Sequence, residues 1–296
     1  MSSVEPTDPP GEGGIPSGTP KRRKRYGRRR GRVAVGDRFL ARLGPAQAEP
    51  FATIDDPDDG SRLPRPGPDT PIEELRFVAL DCETTGQSPH RLVELGAVAF
   101  TLDEHLLSFE TLVHSNDRIN PYARRIHGIG ADTLGGAPPA DRVLARFRRF
   151  AEGAVLVEHS ADAFDTRLIA RATGAALEAD NVDTTRLAAR IYDLRDTIGL
   201  ERLCTLLEVQ HRRPHHALGD AEATAACFLE LLRIGRERFG WKTLGDLLEA
   251  GQPPQVELLS DEGEVRASSG SDQQRAQNRR RRGRGSGVGH ARDTTT

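Results

Sequence analysis

Cysteine is scarce in this sequence: Cys82, Cys204 and Cys227 are odd in number, far apart and without a CxxC pair. That argues against a disulfide framework and a structural zinc site, and makes the reducing cytoplasm the expected setting. Long apolar runs are missing too, with none approaching the ~18 residues needed to span a membrane, so no membrane association is expected. The opening residues MSSVEPTDPPGEGGIPSG contain no apolar leader segment, which argues against secretion. Hydrophobic residues make up only 36% of the chain, Gly and Pro number 30 and 19, and mean hydropathy is -0.54. A sizeable part of the 296 residues is therefore expected to lie outside any packed core.

The formal net charge of -2 hides a segregation of sign. Residues 21–42 carry eleven Lys/Arg against one acid, and residues 271–296 carry seven Arg against two acids. The remainder holds 24 basic and 41 acidic residues, a charge of -17. An acidic body that handles a polyanion needs metal ions or basic arms to offset repulsion, and KRRKRYGRRRGR (21–32) and RRRRGRG (279–285) could grip phosphate backbones without reading sequence.

Composition divides the chain in three. Residues 1–72 read as a disordered basic arm with a short helix near Phe39 to Leu43, 73–250 as one folded domain with its core at about 74–235, and 251–296 as a disordered Arg-rich tail. Within the domain, RFVAL (76–80), RLVELGAVAF (91–100) and HLLSFETLVHS (105–115) read as three strands in an antiparallel meander. Helical spacing follows in ADRVLARFRRFAEG, then a strand AVLVEH, a helix FDTRLIARAT and a short strand NVDT. Helices RLAARIYDL, GLERLCTLLEV and DAEATAACFLELLRIGRERF complete the pattern. This is the pattern of an α/β fold, a mixed sheet with helices on both faces.

Three clusters of chemistry-bearing residues fall at the ends of these elements. Asp81 and Glu83 close the first strand two positions apart, so they point to one face while Cys82 points into the core. Two carboxylates so placed raise each other's pKa unless a cation lies between them, and a divalent ion with hard oxygen ligands is the simplest partner. Asp165 stands at the start of the helix after AVLVEH; Asp220 opens the last helix, with His215 on the loop five residues before it. A near-neutral pKa suits His215 to general-base work. Taken singly, each has a structural alternative: a solvated strand end, an acid offsetting a helix dipole, a surface histidine pair. Taken together, four converging carboxylates call for metal, and a two-ion site supplies phosphodiester hydrolysis.

FVALDCETTG, HSADAFD and HHALGDA resemble, in order, the three motifs of the DEDDh family of 3′-5′ exonucleases, with the greatest likeness to the proofreading epsilon subunit of bacterial DNA polymerase III. The likeness covers about 74–235 and includes the IHGI stretch around His127. It implies a ribonuclease H-like fold with a five-stranded mixed sheet and two Mg²⁺ or Mn²⁺ ions. By position it implies Asp81, Glu83 and Asp220 as direct metal ligands, Asp165 on the second ion directly or through water, and His215 as the base. Thr84, Thr85, Gly86, His127 and Phe164 would form the seat of the terminal nucleotide. The chain departs from the family pattern at Ser160, where Asn usually follows the motif's His, and in its spacing from His159 to Asp165.

The resulting expectation is a metal-dependent exonuclease that releases nucleoside 5′-monophosphates from single-stranded or frayed DNA 3′ ends, in proofreading beside a polymerase or in repair. An RNA 3′-end exonuclease is the alternative within enzymes. A catalytically silent nucleic-acid-binding module is the alternative outside them, disfavoured because all five residues of the set are present.

Overall fold

The computed structural model describes residues 35–42, 63–160 and 162–252. The basic segments 21–32 and 279–285, and the expected tail from 253 onward, lie outside the described residues.

In chain order the elements are α1 (Val35–Arg42), β1 (Phe77–Thr84), β2 (Leu92–Phe100), β3 (His105–Leu112), α2 (Pro121–His127), α3 (Ala131–Leu134), α4 (Ala140–Phe150), β4 (Val155–Glu158), α5 (Phe164–Thr173), β5 (Asn181–Asp183), α6 (Thr184–Tyr192), α7 (Leu200–Leu207), α8 (Ala217–Phe239) and α9 (Leu244–Ala250). The strands form one mixed sheet in the order β3-β2-β1-β4-β5. The pairs β1/β2 and β2/β3 are antiparallel; β1/β4 and β4/β5 are parallel. The expected α/β architecture with its antiparallel meander is thus present, and the parallel half follows from the helical crossovers.

Both faces of β1 are covered, which is why its residues from Phe77 to Leu80 are apolar without alternation. On one face Phe77, Ala79, Val98 and Phe100 pack against α1, α6, α7, α8 and α9. On the other, Val78, Leu80, Ala97 and Ala99 pack against α4 and α5. Phe77, Phe100 and Phe228 meet with ring centroids 4.9 to 6.1 Å apart. Each such ring, fully withdrawn from water, contributes roughly 1.5–3 kcal/mol. Helix α8 is buried from Ala217 to Leu232 and crosses the β1 and β2 side of the sheet, so its small residues are a packing requirement. Among the described residues no helix is long and apolar enough to cross a membrane.

Two parts of the sequence reading need correction. Residues 35–42 do not belong to a loose arm: α1 lies on α8 with Phe39 and Leu40 buried, and the Gly36 N–H donates to Glu230 Oε1 at 3.0 Å. At the other end the core does not stop near 235, because Trp241, Leu244 and Leu247 belong to the same apolar cluster. Short amphipathic segments such as VGDRFLAR find their partner only in three dimensions, so composition around them misleads.

Candidate active site

Strand β1 runs to Thr84, so Asp81 and Glu83 lie within it, on the α8 face with Phe77 and Ala79, while Cys82 is buried on the opposite side. The register of β1 with β2 slips between Glu83 and Thr84, where the strand bends into the loop that follows. Asp81 and Glu83 face Gly96 and Glu94 across β2. Helix α8 closes over this pair, and Asp220 in its first turn is 9% exposed. Asp81, Glu83 and Asp220 each offer a carboxylate oxygen within 4.8 Å of the others. Asp165 starts α5 and is buried.

The cost of this crowding is visible in the acids. Burial pushes Asp81 well above the usual carboxylate range, and the charges of Asp165, Asp220 and Glu83 add to it. Burial followed by Asp220 and Glu94 raises Glu83 to about 8; burial followed by Glu158 raises Asp165 to about 8. Hard oxygen donors from Asp81, Glu83 and Asp220, crowded against one another, fit a divalent cation.

His215 stands where the loop before α8 ends, with φ of 63° and an exposed side chain. Its backbone N–H, rather than its ring, reaches Asp220, donating to Oδ1 and Oδ2 at 3.2 Å each. The ring is therefore free of the acid and directed by a backbone that the acid itself holds.

The expected nucleotide-contact residues divide. His127 is buried: its Nδ1 accepts from the Ile129 N–H at 3.0 Å and its Nε2 bonds the Thr84 carbonyl at 3.2 Å. The Thr85 N–H donates to the Arg91 carbonyl, its own carbonyl accepts from Asn120, and its hydroxyl accepts from the Arg91 N–H. The Gly86 N–H donates to Thr84 Oγ1. These bonds hold the loop together and engage the Thr85 and Gly86 N–H groups and both His127 nitrogens within the protein. Phe164 remains half-buried, edge-on to His90 with centroids 5.5 Å apart.

A family profile described as exonuclease, of the RNase T type, matches residues 78–228, about half of the chain and all of the carboxylate group. The chain belongs to the exonuclease family. This exonuclease-family chain is similar to a DNA polymerase III PolC-type protein of Caldanaerobacter subterraneus subsp. tengcongensis, 34% identical over 179 residues, covering 59% of the chain and 13% of that protein. It is also similar to a DNA polymerase III subunit epsilon-like protein of Rhodobacter capsulatus, 34% identical over 190 residues, covering 61% of the chain and 27% of the relative. The chain thus spans only a small part of these curated relatives' length. Among solved structures, exonuclease X in complex with 5′ overhanging duplex DNA matches at 23% identity and TM-score 0.48, covering 60% of this chain and 99% of that one.

Two residues of this exonuclease domain escape the motif pattern. Glu94, an acid inside the otherwise apolar strand LVELGAVAF, is buried and accepts from the Ala217 N–H at 3.0 Å. Its signal was that misfit. His211 donates from Nε2 to Asp220 Oδ1 at 2.5 Å, and no local pattern announces it.

Proposed function

We propose that this chain is a divalent-metal-dependent 3′-5′ exonuclease that hydrolyses the terminal phosphodiester of DNA and releases nucleoside 5′-monophosphates. The observation that carries the reading is the group Asp81, Glu83 and Asp220, within 4.8 Å of one another inside a family-matched exonuclease domain. These three acids would hold Mg²⁺ or Mn²⁺, with Asp165 serving a second ion. When bound, such ions supply an activated water and stabilise the leaving oxygen.

The protein's own contribution is positioning and proton transfer. The sheet and α8 hold three acids rigidly, so little reorganisation is needed when a phosphate arrives. His215, exposed and joined to Asp220 through its backbone, takes the proton from the attacking water as general base. DNA is favoured because the two relatives named above are DNA polymerase III proteins. The same similarity supports action near a polymerase or in repair.

The deciding assay uses purified protein with Mg²⁺ or Mn²⁺ and DNA and RNA of matched sequence labelled at the 5′ end, with Asp81→Ala as control. Stepwise shortening of DNA from the 3′ end with monophosphate products is expected. Cleavage of RNA alone overturns the substrate assignment, and cleavage of neither overturns the enzyme.

A further inference from the structure

His211 lies on the loop between α7 and α8, nine residues before Asp220 and outside every motif discussed above. Its ring is enclosed with that acid: the two side chains are 10% and 12% exposed. The Nε2 to Oδ1 distance is 2.5 Å, at the short end for a hydrogen bond to a charged acceptor. The other ring nitrogen, Nδ1, is buried and has no hydrogen-bond partner among the described residues, so within them the ring's hydrogen bonding is directed at Asp220. Gly219 makes the approach possible, since a β-carbon there would collide with the Arg213 carbonyl of the same loop.

Asp220 therefore receives donors from two directions, the His211 ring on Oδ1 and the His215 N–H on both oxygens. A carboxylate on an otherwise free two-torsion side chain is thereby held in place, with Oδ2 the less engaged oxygen for a ligand. Of the two, the His215 donor is a backbone N–H, which leaves that residue's ring for proton transfer. His211 is excluded as the base by its own geometry, because it is partly buried and its donating nitrogen is committed to the acid.

We propose that His211 is a positioning residue of this site: it orients the Asp220 carboxylate for metal binding through the Nε2 to Oδ1 hydrogen bond. The proposal rests on the metal-dependent reading above and deepens it. Outer groups that hydrogen-bond a metal-ligating carboxylate commonly govern 10- to 100-fold in metal affinity or activity.

The test measures Mn²⁺ binding directly, by electron paramagnetic resonance on the full chain without nucleic acid, alongside exonuclease kinetics at graded Mn²⁺. His211→Leu removes the donor at similar bulk, His211→Gln restores an N–H at a comparable reach, and Asp220→Asn reports on the metal site itself. Expected are Mn²⁺ binding weakened roughly 10- to 100-fold in the Leu variant, a kcat at saturating Mn²⁺ that recovers most of its loss, and near wild-type behaviour for Gln. Wild-type Mn²⁺ affinity in His211→Leu, or equal impairment in Leu and Gln, overturns the positioning role. Should the Leu variant fail to fold, His211→Asn, whose amide falls short of Asp220, takes its place with the same two outcomes. Asp220→Asn separates the layers: unchanged Mn²⁺ binding there overturns the metal site, whereas a loss there with none at His211 overturns only this inference.

Discussion

Glu94 on β2 accepts a hydrogen bond from the backbone N–H of Ala217 at 3.0 Å, so a strand residue caps the helix that carries Asp220. His216 at the N-cap makes no side-chain capping hydrogen bond. Glu94 also raises the pKa of Glu83 across the strand pair. Removing it has opposed local consequences, an uncapped helix and a relieved repulsion, with the cap the larger at a buried N–H. Glu94→Ala is expected to lower stability by roughly 1–2 kcal/mol, read from chemical denaturation. Unchanged stability would show that the cap is redundant.

Gly96 faces Asp81 on the adjacent strand, directly beneath the start of α8. A β-carbon at this position would fall onto the backbone of Ala217 and Leu218. Backbone cannot rotate aside as a side chain can, so Gly96→Ala must lift the helix that carries Asp220. The expected cost is roughly 1–3 kcal/mol, with activity lost more severely than stability because the carboxylates separate. Melting and single-turnover cleavage, measured on one preparation, distinguish the two.

Phe39 and Leu40 of α1 are buried against α8. Phe39→Ala should cost about 3–5 kcal/mol, and a truncation removing 1–45 should destabilise the domain for the same reason. The role of the basic segment in salt-dependent binding is properly tested by removing 1–32 only. A shallower dependence of KM on salt is expected from that shorter deletion.

In EDTA the acids set a pH dependence whose sign is opposite to ordinary acid denaturation. The folded protein holds protons on Glu83 and Asp165 up to about 8, whereas unfolded carboxylates lose theirs near 4, so the folded state binds more protons in between. Stability contributed this way is present at low pH and is lost as pH rises towards 8. His105, His127 and His159, lowered by burial, act oppositely but only below about pH 6.5. Between pH 6.5 and 8 the melting temperature in EDTA is therefore expected to fall, and Glu83→Gln to flatten the slope. A rising or level wild-type curve would count against the crowded-acid account.

Asp81→Asn and His215→Ala should part company. The first removes repulsion and a ligand together: it should raise the melting temperature in EDTA, abolish stabilisation by Mn²⁺, and lower kcat by at least ~10²-fold. The second should leave metal binding and melting near wild type while kcat falls on the order of 10²- to 10⁴-fold. Wild-type turnover in His215→Ala would remove its ring from the mechanism.

Much of this was legible in the chain. Alternation in a strand is local geometry, so ALDCET alone places Asp81 and Glu83 on one face and Cys82 on the other, as the burial pattern confirms. The order of apolar runs and short polar connections likewise specified a mixed sheet flanked by helices. Even α2, not foreseen, carried its signals in NPYARRIHG: an Asn120 cap bonding the Tyr122 N–H, Pro121 in the first turn, and Gly128 in the left-handed region at the end.

What tertiary structure alone decided is how far each element extends and what each polar atom faces. Helix α8 begins at Ala217, not Asp220, because Glu94 from a distant strand satisfies the first N–H. His127 looked available in IHGI, but its Nε2 bonds the Thr84 carbonyl and its Nδ1 accepts from the Ile129 N–H. His211 is held against Asp220 by a loop that closes only because Gly219 lacks a side chain. Sequence fixes periodicity, which acts over a few residues; the partners of these hydrogen bonds are set by how loops and elements pack in three dimensions, and no local pattern encodes them.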